Sequence, residues 1–311
     1  MKHLSKKIVA CMAIIAMCCF GCKANTSSSE VSSSSQASVP KVKTTKKATA
    51  KTAKQPEQAA ITNPQINVVV VSSNKMKRDI TNLVVVPKQY LDSDKEQYPV
   101  VYLLHGYDDN YMAWQNHINL AELASKYGMI FVCPDGQDGW YFDSPIDPSF
   151  QFETFITQEL RNYVEQNYRT INDAQHRAIT GLSMGGHGAL WLGWRHPDLY
   201  GSCGSMSGAV DIMTLKDRFK IDKRLGKYAA NTQSWRDHSV INLVPSLKNG
   251  EQNIIIDDGT QDFLIKENRA LHAALDKHGI KHSYSERPGR HSWDYWVKSL
   301  TMHLDFFAKH F

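Results

Sequence analysis

The sequence predicts an α/β fold: a mainly parallel central sheet with helices on both faces and a small lid-like insertion. Two observations predict it. Short apolar runs recur along the chain, each closed by Gly, Pro or Asp, as strands buried on both faces do. Stretches of helical character separate most of these runs, and strand–helix–strand repetition implies right-handed crossovers in one sheet. The 251 residues from Ile61 to Phe311 are within the range of a single large α/β domain.

Taken in order, Ile66–Val71 and Leu83–Val86 read as the first strands, the second ended by Pro87. Val100–Leu104 is wholly apolar and runs into His105-Gly106, and Ile130–Cys133 stops at Pro134-Asp135-Gly136. Arg177–Thr180 leads into Gly181, Ser202–Met206 into Ser207-Gly208, and Asn253–Ile256 into Asp257-Asp258-Gly259. Ser283–Glu286 is the last run, before the Pro288-Gly289 turn. Helical stretches are Leu120–Tyr127, Phe152–Asn167, Gly186–Arg195, Phe263–His278 and a C-terminal helix after His291. Residues 209–250 break the rhythm: they are an insertion, either a lid over the site or a surface excursion of two helices. In such sheets the chemistry sits at the carboxyl ends of the strands, where the polar turns fall.

Composition narrows the function. Hydrophobic residues make up 42% and charged residues 22%, which excludes a fully disordered or collagen-like chain. Residues 1–60 carry 10 Lys and 2 Glu, a net of +8, so residues 61–311 carry 5 − 8 = −3. The basic balance belongs to the N-terminal segment, which argues against a nucleic-acid-binding domain. Lys2, Lys6 and Lys7 precede the apolar run Ile8–Phe20, whose 13 residues suit a signal peptide and fall short of the roughly 20 that span a bilayer. A small residue before Cys22 resembles a lipoprotein signal over residues 1–22, with Cys22 lipidated; cleavage after Ala24 is the competing reading. Residues 23–60, rich in Ser, Thr, Lys and Ala, read as a disordered tether or a tail without a task. The expectation is an exported protein, periplasmic or on the cell surface, touching membrane only through that anchor. Cys133 and Cys203 both fall in apolar runs, where buried free thiols are expected rather than a bridge.

Gly181-Leu182-Ser183-Met184-Gly185 is the strongest motif. A nucleophilic serine on a sharp strand-to-helix turn needs small neighbours so that backbone segments can approach it. The turn exposes the Ser183 hydroxyl, and the Met184 N–H is placed to donate to a developing oxyanion. With such a turn the chain order is serine, acid, histidine. His291, in Gly289-Arg290-His291-Ser292-Trp293 after the last strand, has the setting of the base. Asp257, Asp258 and Asp262 compete for the acid, and spacing alone leaves them open. The second oxyanion donor is expected from the Tyr107 N–H in the loop after Val100–Leu104, with His105 structural. Trp140, Tyr141 and Trp293 are candidate substrate contacts, with plain packing as the alternative. Asp108-Asp109-Asn110 reads as a solvated turn; no zinc spacing or phosphate-binding glycine loop is present, so neither metal nor cofactor is expected.

Val100-Val101-Tyr102-Leu103-Leu104-His105-Gly106 and Gly181-Leu182-Ser183-Met184-Gly185-Gly186-His187-Gly188-Ala189-Leu190 resemble the esterase D-type α/β-hydrolases. That family includes tributyrin esterases, S-formylglutathione hydrolases, feruloyl and acetyl-xylan esterases, and mycolyltransferases. Arg195-His196-Pro197-Asp198-Leu199-Tyr200 and His291-Ser292-Trp293 also fit it, and the likeness runs from about Ile66 to Phe311. The resemblance implies an α/β-hydrolase fold and a serine esterase acting through an acyl-enzyme. It favours Asp262, in Gly259-Thr260-Gln261-Asp262, as the acid, with Asp257 the runner-up. The expected partner is a small ester or an esterified polysaccharide, with feruloyl or acetyl groups on plant polysaccharide the leading reading. Alternatives are a short-chain esterase of tributyrin type, acyl transfer to a sugar or lipid, and a non-catalytic carbohydrate-binding lipoprotein.

Overall fold

All five side chains of strand Val100–Leu104 are buried, and they alternate between two separate cores. Val100, Tyr102 and Leu104 belong to one, Val101 and Leu103 to the other, so this strand lies in the middle of a sheet covered on both faces. The computed structural model describes residues 63–311. The predicted leader, Cys22 and the 23–60 tether lie outside the described residues.

The strands are β1 (Ile66–Ser73), β2 (Arg78–Val85), β3 (Val100–Leu104), β4 (Ile130–Pro134), β5 (Arg177–Leu182), β6 (Ser202–Met206), β7 (Asn253–Gly259) and β8 (Ser283–Arg287). They form one sheet in the order β1-β2-β4-β3-β5-β6-β7-β8. The β1–β2 and β2–β4 pairs are antiparallel and the rest parallel. Two short helices that the sequence reading lacks, α1 (Lys88–Asp92) and α2 (Ala113–His117), sit in the connections. Helix α3 (Leu120–Tyr127) starts where the Asn119 side chain accepts the Glu122 N–H and ends at Gly128 with φ 64°. The expected helix over 152–167 is continuous but mixed: α4 (Phe152–Thr154) and α5 (Arg161–Asn167) flank a π-helical stretch, Phe155–Leu160. Helix α6 is Met184–Arg195.

The insertion is more broken than two helices. It holds α7 (Ile221–Leu225) and α8 (Thr232–Asp237) among three 3₁₀ turns. Trp235 is fully buried in it, with its Nε1–H donating to the Gly226 carbonyl at 2.9 Å. The buried Arg224 ties the insertion to the 138–147 loop, pairing with Asp138 and Asp147 at 2.8 Å each. Helices α9 (Ile265–Lys277) and α10 (Trp293–Ala308) complete the chain. Side chains of α3 and α10 fill one core, and those of α6 and α9 the other. Cys133 and Cys203 are free and buried on opposite faces of the sheet, as two small apolar side chains.

Strand β7 runs past the expected end at Ile256 and takes in Asp257-Asp258-Gly259. Its ladder with β8 continues through Asp257↔Ser285 and Gly259↔Arg287. Three further pairs therefore carry two buried carboxylates to the edge of the site, on opposite faces of one strand.

Candidate active site

Ser183 sits at the junction of β5 and α6 with φ 55° and ψ −115°, a backbone conformation that an L residue holds only under constraint. Its neighbours explain the constraint. A Cβ on Gly185 would stand 2.5 Å from the Leu104 carbonyl oxygen, and one on Gly181 would stand 2.6 Å from the Gly185 backbone. Both contacts are shorter than van der Waals separation, so only glycine lets β3, β5 and α6 meet there. The Ser183 N–H donates to the Met206 carbonyl at 2.9 Å, which ties the turn to β6.

The hydroxyl faces His291 in the loop between β8 and α10. Ser183 Oγ lies 2.8 Å from His291 Nε2, and His291 Nδ1 lies 2.8 Å and 3.0 Å from the two oxygens of Asp262. An Nδ1–H that donates to the carboxylate leaves the Nε2 lone pair free to accept the serine proton. Asp262 also accepts the Leu264 N–H at 2.9 Å. Burial opposes its charge, but the His291 bond and charge and the Leu264 N–H hold its carboxyl below the ordinary carboxylate range.

The other two aspartates do different things. Asp257 points to the opposite face, toward α10. There it accepts from Arg287 and Ser299 at 2.6 Å each and lies 3.0 Å from His303 Nε2. Against its burial, the bonds from His303, Ser299 and Arg287 keep it low. Nothing brings it to His291. Asp258 is fully buried on the Asp262 side, accepting the Gly259 N–H at 2.7 Å and the Asn268 amide at 2.9 Å. Burial and the neighbouring Asp262 charge push its carboxyl up, so it stays protonated where Asp262 is ionised.

A cavity of about 270 Å³ opens on Ser183. Tyr107 and Met184 line it beside the serine, together with Gly106. A Cβ on Gly106 would fall 2.7 Å from Leu182 Cδ1 and 3.7 Å from Ser183 Cβ, so that loop runs directly against the Ser183 turn. His105 is buried behind it, with Nδ1 on the Gly106 carbonyl at 2.7 Å and Nε2 accepting the Gly136 N–H at 2.9 Å.

The aromatic candidates divide. Trp140 walls the cavity, and its indole donates to the Phe219 carbonyl at 3.0 Å. Tyr141 is placed elsewhere: its ring fills the space over Gly188 and its hydroxyl donates to the His105 carbonyl at 3.0 Å. Trp293 also stays out of the cavity, stacked on His117 with centroids 3.8 Å apart. One turn later on the same helix, Trp296 takes the position by the site, edge-on to His291 at 4.8 Å. Phe263, 4.6 Å from the His291 ring, and Leu215, Arg218 and Phe219 from the insertion also line the cavity, as does the partly buried Asp109, from the turn read in the sequence as solvated. The sequence signal for the insertion residues was only their position after β6.

The Esterase family model matches residues 73–307. The chain belongs to that family. An acetyl esterase from Caldicellulosiruptor saccharolyticus is 29% identical to this esterase over 255 residues, covering 76% of this chain and 96% of that protein. A solved ferulic acid esterase is 29% identical with a TM-score of 0.69, covering 79% of this chain and 98% of its own. An S-formylglutathione hydrolase from Agrobacterium tumefaciens, 23% identical, shares the fold at a TM-score of 0.66 over 79% of this chain and 95% of its own. This esterase therefore has the α/β-hydrolase fold, and its family makes it a carboxylic ester hydrolase.

Proposed function

We propose that this esterase is an exported serine carboxylesterase that cleaves acetyl or feruloyl esters carried by plant polysaccharide. The observation that carries the reading is the hydrogen-bonded line Asp262–His291–Ser183, ending in a cavity. Ser183 Oγ attacks the ester carbonyl while His291 Nε2 takes its proton, and Asp262 fixes the tautomer and stabilises the imidazolium. The Met184 and Tyr107 N–H groups donate to the oxyanion as the tetrahedral carbon forms. His291 then returns the proton to the leaving alcohol, and water releases the acyl group by the same steps.

The acyl preference rests on the cavity and on the relatives. Its volume of about 270 Å³ lies just below the roughly 300–1,000 Å³ of drug-sized ligand pockets, which suits a short acyl or single-ring group. Trp140, Phe219, Phe263 and Trp296 offer faces and edges to an aryl ring. The acetyl esterase and ferulic acid esterase names point the same way. Export rests on the Ile8–Phe20 run and Cys22, and the polysaccharide on the family analogy.

The test is hydrolysis of p-nitrophenyl acetate and butyrate, methyl ferulate and acetylated xylan by the wild type and Ser183→Ala. Loss of turnover in a folded Ser183→Ala protein supports the serine mechanism, and the preferred ester selects the acyl group. Retained turnover in that variant would falsify the mechanism.

A further inference from the structure

A second cluster of chemistry lies at the far end of α9. His272 and Asp276 are one turn apart on that helix, and His282 stands just before β8. One ligand atom from each of the three lies within 4.8 Å of the others. His272 Nδ1 and His282 Nε2 are 2.7 Å apart, and Asp276 Oδ2 is 3.6 Å from His272 Nε2. Asp276 is exposed and the two histidines are partly buried, so solvent reaches the cluster, and none of the three lines the cavity over Ser183.

The tautomers make this arrangement informative. His282 Nδ1 lies 2.8 Å from the Ile280 carbonyl, which can only accept, so Nδ1 carries the hydrogen. Its Nε2 lone pair then points at His272. With both rings neutral, the His272 Nδ1–H donates to His282 Nε2, which leaves the His272 Nε2 lone pair facing the Asp276 carboxylate. Two nitrogen lone pairs and a carboxylate thus converge on one small volume, an arrangement that suits a cation. A carbonyl holding the second nitrogen of an imidazole is also how metal-binding histidines are oriented. Tyr284 stacks on the His272 ring at 4.1 Å, which limits its rotation.

We propose that His272, Asp276 and His282 form a binding site for a borderline divalent transition metal, with Zn²⁺ its natural occupant by donor type. Two imidazoles and one carboxylate are nitrogen-rich for Ca²⁺ or Mg²⁺ and match Zn²⁺, with water completing the tetrahedron. Around one such ion the donors sit roughly 3.3 Å apart, given metal–ligand bonds of about 2.0–2.2 Å. The two nitrogens need to open slightly and the carboxylate to swing inward, both within reach of side-chain rotation at a partly exposed site. No standard ligand spacing announces it, because the fold and not the sequence brings His282 to the helix. The ion would clip α9, which follows Asp262, to β8, which leads to His291.

The experiment is calorimetric titration of the full chain with ZnCl₂, beside His272→Ala, His282→Ala and Asp276→Asn. Co²⁺ absorption spectra report the coordination geometry. The expected result is one saturable Zn²⁺ in the wild type that each histidine substitution removes or weakens by at least about tenfold. Asp276→Asn should weaken it less. Tm should rise with Zn²⁺ in the wild type and stay flat in the histidine variants. His3 and the cysteines at 11, 18, 19 and 22 offer other donors, so the deciding quantity is the difference of one site between wild type and His272→Ala. Equal stoichiometry and affinity in the two proteins, or no saturable binding, overturns the proposal. Circular dichroism of each variant separates loss of the site from loss of the fold.

Discussion

Replacing the two aspartates Asp262 and Asp257 by asparagine, one at a time, should separate catalysis from stability. In Asp262→Asn the amide can present its NH₂ to His291 Nδ1, which favours the tautomer with the hydrogen on Nε2. That ring cannot take the Ser183 proton. The loss expected in kcat is on the order of 10⁴, or about 5.5 kcal/mol of transition-state stabilisation at ~1.4 kcal/mol per tenfold. In Asp257→Asn the triad is untouched, but Arg287, Ser299 and His303 lose the carboxylate they share. Breaking a buried pair costs about 3–5 kcal/mol, and the low end applies because the Arg287 side chain is 27% exposed and water can screen it. About 3 kcal/mol corresponds to a Tm drop of roughly 6–12 °C in a domain of this size. Steady-state hydrolysis of p-nitrophenyl acetate and a thermal melt on each variant give both readouts. If Asp257→Asn abolished turnover with Tm unmoved while Asp262→Asn stayed active, the assignment of the acid would be refuted.

Other outcomes follow from the same geometry. Asp258 keeps its proton in the folded state at pH values where the unfolded chain has lost it. Its raised carboxyl therefore makes stability fall as pH rises from the ordinary aspartate range toward the folded value. Asp258→Asn should flatten that slope and match or exceed wild-type stability near neutrality, as chemical denaturation across pH would show; a steeper slope counts against a protonated Asp258. His187 is buried and, chiefly through burial, its pKa is lowered to about 4. Between about 6.5 and about 4 the unfolded chain binds a proton that the folded one does not, so stability should decline across that window as pH falls. His187→Gln should reduce that decline, measured by melts at stepped pH. Gly185→Ala should cost about 1–3 kcal/mol and lower turnover as well, because its Cβ meets the Leu104 and His105 carbonyl oxygens at 2.5 and 2.6 Å. Melting and kinetics together check it.

Much of the fold and of the candidate site is legible in the sequence. Strands β3 to β7 are found by short runs of apolar or small residues that stop near Gly, Pro or Asp, because a strand buried on both faces tolerates no interruption, whereas the edge strands β1 and β8 are only partly buried. Ser183 and His291 stand out because a glycine-flanked turn and a late loop after the last strand have few other uses. The three aspartates could not be sorted by spacing. What separates them is strand alternation at the end of β7, which sends Asp257 to α10 and Asp258 toward Asp262, and the extent of β7 depends on its ladder with β8. Trp293 and Trp296 look alike in sequence; the phase of α10 gives one to His117 and the other to the cavity. Tyr141 follows a strand end, a position that suits either a substrate contact or packing, and its ring fills the space that Gly188 leaves open.

The bond between the insertion and the 138–147 loop has a consequence for how substrate arrives. Arg224 holds Asp138 and Asp147, its carbonyl accepts the Ser144 hydroxyl at 2.6 Å, and Trp140 donates to Phe219. The two walls of the cavity are thus cross-linked to each other, like two leaves of a door screwed to the same frame. Neither can swing without tearing several polar bonds at once. These bonds brace the opening onto Ser183 against movement of the insertion. Turnover of a soluble short-chain ester should then rise smoothly through its solubility limit, without the abrupt increase that an interface-opened flap produces.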